Sequence, residues 1–256
     1  MIGARQAAPR VRRWMGLVRA VDQFVFPRAC AACDGPMDDS DGGLVCGRCW
    51  ARLPLLPAPQ CERCGHPRRR PGRCSGCALL PPYVRAARSV CWVPDEVSSG
   101  IVGALKYRGW PATADAMGAR MARLSFPDDV RCERTALVPI PLAPVRLRER
   151  GFNQAECLAT AVGRRWQLPV WSVVTRERAT VTQTRLTPGE RLANVRHAFS
   201  VGAADDLRVR GRHLILVDDV LTTGATLNAC AEALFAAGAR TLSYLTFGRA
   251  RTIADL

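Results

Sequence analysis

The sequence predicts an α/β protein: a parallel sheet flanked by helices, with a small cysteine-rich module in front of it. Three observations carry this expectation. From residue 136 onward, short apolar runs alternate with stretches of helical period, the pattern of strands joined by crossover helices. Between residues 30 and 77, eight of the twelve cysteines fall into four Cys-x-x-Cys pairs, and no apolar period runs between them. The chain has 256 residues, 48% hydrophobic and 23% charged, which is room for one fair-sized domain and one small one.

Composition narrows the classes further. The apolar fraction excludes a disordered chain. No clean apolar run approaches the ~20 residues that a helix needs to cross a bilayer, so no stable membrane insertion is expected. The formal charge is +15, from 37 basic and 22 acidic residues, and Lys106 is the only lysine. A pI near 10.1 predicts attraction to polyanions: nucleic acid, phosphorylated small molecules or anionic lipid.

The elements follow in order. Residues 14–26 place Trp14, Leu17, Val18, Val21, Phe24 and Val25 on one helical stripe, expected to pack on the protein itself rather than on a membrane or DNA. Arg19 and Asp22 interrupt that stretch, so it is no secretory h-region, and a cytoplasmic protein is expected. The expected divisions are a helical N-terminal region over 1–28, the cysteine module over 29–80 and the main domain over 81–256. In the main domain, 84–93 reads as strand or hairpin, and 101–107 and 112–124 as helices. Strands are expected at 136–140, 170–174, 213–217 and 242–247, and helices at 154–166 and 225–237. Residues 176–194 are polar and irregular.

Paired cysteines without a secretory signal read as metal ligands. Each knuckle turns two thiolates to one side, and two knuckles make a tetrahedral four-sulfur site that suits Zn2+. Four pairs imply two structural zinc ions. The simplest pairing is sequential: Cys30, Cys33, Cys46 and Cys49, then Cys61, Cys64, Cys74 and Cys77. Spacing leaves an interleaved pairing open. Zinc is favoured over disulfides or an iron–sulfur cluster, and it supplies folding energy that this polar segment lacks. Arg48, Arg52, Arg63, Arg68, Arg69, Arg70 and Arg73 crowd the module. Residues 1–85 carry 14 arginines against six acids, a net +8 suited to a phosphate backbone such as single-stranded DNA.

The sharpest motif is residues 213–234, HLILVDDVLTTGATLNACAEAL. An apolar strand leads to Asp218 and Asp219. Thr222, Thr223, Gly224, Ala225 and Thr226 then open a helix. Backbone N–H groups at a helix start bind phosphate, with the dipole behind them, and glycine lets the ligand approach closely. The two carboxylates would repel that phosphate, so they suit hydroxyl groups beside it. A phosphate next to vicinal hydroxyls is a ribose 5-phosphate. Neither Gly-Lys-Ser/Thr nor Gly-x-Gly-x-x-Gly occurs in the chain, which sets aside an ATP motor and a dinucleotide enzyme.

This segment resembles the signature of the type I phosphoribosyltransferases. Residues 105–109 (LKYRG), 138–159 (VPIPLAPVRLRERGFNQAECLA) and the set Arg176, Thr182, Gln183, Leu186, Arg191 and Asn194 resemble the ComF family, as do the cysteine knuckles. The resemblance covers roughly 24–248. It implies a type I phosphoribosyltransferase-like parallel sheet flanked by helices, with a small N-terminal double zinc-ribbon module. It also implies phosphoribosyl pyrophosphate with Mg2+, and DNA handling in natural competence beside partners such as a DNA helicase. Carried over by position, Asp218 and Asp219 hold ribose hydroxyls, and 222–226 hold the 5-phosphate. Arg146, Arg148 and Arg150, after the turn at Pro141, meet the pyrophosphate, and 176–194 is the loop that closes over the site. One departure stands out: where hypoxanthine-type relatives of that superfamily place an aspartate against the purine, this chain has Thr222. The loop is closer to those of the amidotransferase-linked and orotate-type enzymes. An enzyme and a non-catalytic DNA-binding module that keeps the phosphate loop are both compatible with these residues. The acid pair favours the first, and charge favours the second.

Overall fold

The computed structural model describes residues 28–38, 43–68, 74–107, 112–176 and 198–251. The helix expected over 14–26, the expected loop residues 177–194, and Arg69, Arg70 and Arg73 lie outside the described residues. The strands are β1 (Val84–Val93), β2 (Arg134–Pro139), β3 (Val174–Arg176), β4 (Phe199–Val201), β5 (His213–Leu221) and β6 (Thr241–Ala250). The helices are α1 (Gly47–Ala51), α2 (Glu96–Tyr107), α3 (Ala112–Met121), α4 (Asp128–Glu133), α5 (Pro144–Arg150), α6 (Gln154–Trp166), α7 (Asp206–Val209) and α8 (Ala225–Ala236). A 3-10 turn, Ser75–Leu79, carries the last cysteine of the module.

The main sheet has the order β1-β6-β5-β2, and every neighbouring pair is parallel. Alternation along β5 divides its side chains between two cores. Ile215 and Val217 join Ile101 of α2, Met117 of α3 and Leu158 of α6 on one face. Leu214 and Leu216 join Leu227, Ala231 and Leu234 of α8 on the other. Burial on both faces explains why the strand reads as one continuous apolar run.

Two expectations shift. The strand expected over 170–174 meets the main sheet only at Val170, through one parallel bridge to Leu137. Trp171 N–H still donates to the Leu137 carbonyl (2.8 Å), and the pairing goes no further. The chain leaves, and β3 pairs antiparallel with β4 instead. β5 also runs four residues further than expected. Past Val217 it stays paired with β6, with Asp218 opposite Thr246 and Val220 opposite Gly248. The two acids therefore sit inside the strand, not beyond it.

The cysteine module closes the outer edge of β1. Trp92 N–H donates to the Pro54 carbonyl (2.8 Å), Leu56 N–H to Val90 (3.2 Å), and Ala87 N–H to Arg63 (2.7 Å). An open edge would otherwise invite pairing with other chains. The module also feeds both cores: Cys30, Cys46 and Cys49 pack on one face of the sheet, Cys61 and Cys64 on the other. Several arginines serve this packing. Arg63, expected on a basic face, instead donates from Nη2 to the carbonyls of Pro81 (2.8 Å) and Leu80 (3.2 Å). Arg249 is 2% exposed and donates to the Cys64 carbonyl (2.5 Å).

Gly65 is where knuckle and strand meet most closely. Its φ is +69°, and a Cβ there would overlap the Ala87 carbonyl oxygen. Gly65→Ala combines left-handed strain with a backbone clash, and is expected to cost about 2–4 kcal/mol in chemical denaturation. Gly43→Ala, with positive φ but nothing within 4 Å, should cost clearly less.

Candidate functional site

Two constellations stand out. The first is the pair of cysteine clusters. Cys30, Cys33, Cys46 and Cys49 form one and Cys61, Cys64, Cys74 and Cys77 the other, with all ligand atoms in each within 4.8 Å of one another. The grouping is the sequential one. The Sγ–Sγ separations of 3.8 Å (Cys30–Cys49), 3.5 Å (Cys61–Cys77) and 3.4 Å (Cys64–Cys74) are too long for disulfides. They suit a tetrahedral ion with Zn–S near ~2.3 Å, which puts sulfurs ~3.8 Å apart. Burial alone would raise the Cys30 thiol, but N–H groups of Cys46, Ala32 and Cys33 outweigh it and bring it down to about 7. Cys61 behaves alike: burial opposes, the N–H groups of Cys64 and Arg63 prevail, and the thiol falls to about 7. Each cluster thus has one thiol already inclined to ionise, as metal ligation requires. Both four-cysteine sites are consistent with structural zinc ribbons.

The second is a small, open cleft where β5 turns into α8, lined by Asp218, Val220, Thr222, Gly224, Ala225, Thr226 and Leu227. Gly224 is the N-cap residue of α8, with φ +78° and no side-chain cap. The first N–H groups of a twelve-residue helix therefore face the cleft end. Thr223 is exposed and outside the lining; its Oγ1 accepts the Ala225 N–H (3.4 Å). The two acids part company. Asp218 lines the cleft, while Asp219, 5% exposed, forms an ion pair with Lys106 Nζ at 2.7 Å. Alternation along the strand separates them, and α2 brings the lysine to the far side. Asp219 N–H donates to Asp218 Oδ1 (2.8 Å). Desolvation, followed by the neighbouring Asp219 charge, pushes the Asp218 carboxyl up to about 8.

The turn after β2 lies beside this cleft, because Ile140 N–H donates to the Val217 carbonyl (3.0 Å). Asn153 Nδ2 holds the Ile140 carbonyl (3.0 Å) and Asn153 Oδ1 caps α6. α5 then leads out with Arg146 and Arg148 exposed. Arg150 turns elsewhere: Nη1 donates to Gln154 Oε1 (2.9 Å), and the guanidinium lies over Tyr107. Arg176, at the end of β3, is depressed by burial and by Arg146, against the pull of Asp218. Arg146, Arg176 and Asp218 are thereby electrostatic neighbours. Lys106 is the residue that sequence reasoning left without a role. Its signal was present: a lone lysine in an arginine-only chain, inside the LKYRG segment.

A double zinc ribbon domain family matches residues 21–78. Competence protein ComFC of Bacillus subtilis is 27% identical over 203 residues, covering 76% of this chain and 79% of that one. DNA utilization protein YhgH of Salmonella typhimurium is 31% identical over 229 residues, covering 86% of this chain and 96% of that one. The chain belongs to the ComF family. A solved structure of glutamine phosphoribosylpyrophosphate amidotransferase from B. subtilis, complexed with ADP and GMP, matches 51% of this ComF chain and 25% of its own, at 18% identity and a TM-score of 0.36. Among the described residues of the ComF chain, no helix is long and apolar enough to cross a membrane.

Elemental analysis of the reduced ComF protein should give two zinc ions per chain. Cys64→Ser should bind one. Since Cys64 is fully buried in the core that holds α8, the same variant should also unfold at a lower temperature.

Proposed function

We propose that this ComF protein is of the phosphoribosyltransferase type, binds phosphoribosyl pyrophosphate with Mg2+, and serves DNA uptake or natural transformation. The observation that carries the proposal is the cleft in which one carboxylate, Asp218, shares a wall with a helix start whose N-cap residue, Gly224, has no side chain. Helix N–H groups with Thr222 and Thr226 hold the 5-phosphate. Asp218, once ionised, accepts hydrogen bonds from the ribose hydroxyls. Asp219 stays paired with Lys106 and fixes the strand behind it. A carboxylate oxygen facing an open cleft also fits a hard cation, and Mg2+ there supplies charge neutralisation to the pyrophosphate and ribose oxygens. Arg146 and Arg148, with Arg176 beside them, offset charge on the leaving pyrophosphate as its bond to C1 breaks and an acceptor nucleophile bonds to C1. Relatives named for competence and DNA utilization support the biological half of the proposal. The implied partners are single-stranded DNA and competence-machinery proteins such as a DNA helicase. Cysteines grouped as metal ligands rather than as disulfides suit work in the cytoplasm.

A second reading, a non-catalytic single-stranded-DNA-binding protein that keeps the phosphate loop, is favoured by Arg48 and Arg52, exposed on and just after α1.

Calorimetry with phosphoribosyl pyrophosphate tests the first reading, and no binding at millimolar concentration rejects it. Asp218→Asn should weaken Mg2+-dependent binding by about 10- to 150-fold, the loss of a charge-assisted hydrogen bond. Gly224→Val should abolish binding of ribose 5-phosphate as well, through strain at φ +78° and a side chain at the phosphate.

The pH dependence has a definite sign. Folding raises the Asp218 carboxyl from 3.8 to about 8, so across that window the folded chain holds a proton that the unfolded chain releases. Its contribution to stability falls as pH rises through the window. Ligand binding moves oppositely, because the carboxylate becomes available: affinity should improve from pH about 7 to about 9. In Asp218→Asn this slope should vanish.

Binding to single-stranded DNA should weaken steeply with salt. Replacing Arg48 and Arg52 by Gln should lower the log–log salt slope by about 1.4, or ~0.7 per lost phosphate contact. A slope unchanged by both substitutions rejects the ribbon as the DNA contact.

A further inference from the structure

The phosphate loop is held from outside by the second ribbon. Asn228 lies one turn into α8, and its backbone N–H donates to the Gly224 carbonyl (2.7 Å). Its side chain reaches in two directions. Nδ2 donates to the Leu79 carbonyl (2.9 Å), at the end of the 3-10 turn that carries Cys77. Oδ1 accepts from the Tyr244 hydroxyl (2.9 Å) on β6. A Cβ on Gly224 would lie 3.4 Å from Asn228 Nδ2 and 3.5 Å from the Leu79 oxygen, so loop, helix and ribbon meet at one point. Two further contacts run alongside. Tyr83 stacks on Phe235 of α8, with centroids 4.3 Å apart and planes at 11°, and Cys61 and Cys64 share a core with the apolar side of α8. The first ribbon packs into the opposite core, against α2, α3 and α6.

We propose that Asn228 is a positioning residue through which occupancy of the second four-cysteine site sets the affinity of the phosphate loop, while occupancy of the first does not. The proposal rests on the phosphate-loop reading above. Leu79 stays in place because Cys74 and Cys77 are tied to Cys61 and Cys64. Freed from that tie, the Leu79 carbonyl no longer anchors Asn228, and the helix start that presents its N–H groups loses its outer support. Such coupling is reciprocal: a ligand that favours the ordered loop tightens the second site's hold on its ion by the same factor.

The experiment uses the full chain, with ribose 5-phosphate and Zn2+ as probes. Zinc transfer to a competing chelator is followed with and without ribose 5-phosphate. In the wild type, ribose 5-phosphate should slow release from one of the two sites. The slowed site should survive in Cys33→Ser and be lost in Cys77→Ser. Asn228→Ser, shown to carry two zinc ions, should bind ribose 5-phosphate about 3- to 10-fold more weakly, the scale of one hydrogen bond, and should show no slowing. The proposal is overturned if ligand slows both sites or neither, or if Asn228→Ser keeps wild-type affinity and coupling. If Asn228→Ser does not fold, the wild-type and cysteine-variant release rates decide alone. Failure of the wild type to bind ribose 5-phosphate rejects the phosphate-loop reading and this inference with it. Binding without zinc coupling rejects this inference only.

Discussion

The backbone contact between the cysteine module and β1 is what the remaining architecture leans on. β1 is bonded to β6 on its inner edge and to residues 54, 56 and 63 of the module on its outer edge. A segment so rich in Gly, Pro and Arg has no apolar period with which to hold that position by itself. An ion held by four thiols in each cluster would give it the stiffness that a larger domain obtains from its core. The module in turn shields the sheet's edge and extends both cores.

That arrangement makes the arginine content less of a surface property than net charge suggests. Arg63, Arg88 and Arg249 direct their guanidinium groups to main-chain carbonyls at the seam. Arg85 is engaged with Glu62 and Asp129. Arg120 lies over Trp50, 3.5 Å from the ring centroid. A count of basic residues therefore overstates the field available to a polyanion, and exposed positions such as Arg48 and Arg52 carry more of it than their number implies.

The candidate site follows a second constraint, the placement of two adjacent carboxylates within one strand. Both cannot be buried, ionised and unpaired at the same time. The fold separates their roles. Asp219 faces α2 and is neutralised by the lone lysine. Asp218 is left in the cleft with its pKa raised by desolvation and by the neighbouring acid. This division rests on strand alternation and on where α2 ends, two features far apart in sequence.

Much of the plan was legible from residue types and spacing. Four regular Cys-x-x-Cys pairs determined two four-cysteine sites, because thiol chemistry and knuckle geometry leave few other uses for them. The apolar run at 213–217 and the helical period at 154–166 determined their elements, since burial on both faces and on one face leave different periods. Thr222–Thr226 marked the turn into a helix, because glycine at the N-cap between threonines stops a strand and starts a helix. Tertiary structure alone decided what required distance across the chain. It decided the sequential grouping of the knuckles, the departure of the chain from the sheet after Trp171, and the extension of β5 through its acids. It also joined Lys106 to Asp219 and tied the second ribbon to Asn228. Each of these is a contact between segments that share no local pattern, and only packing brings them within bonding reach.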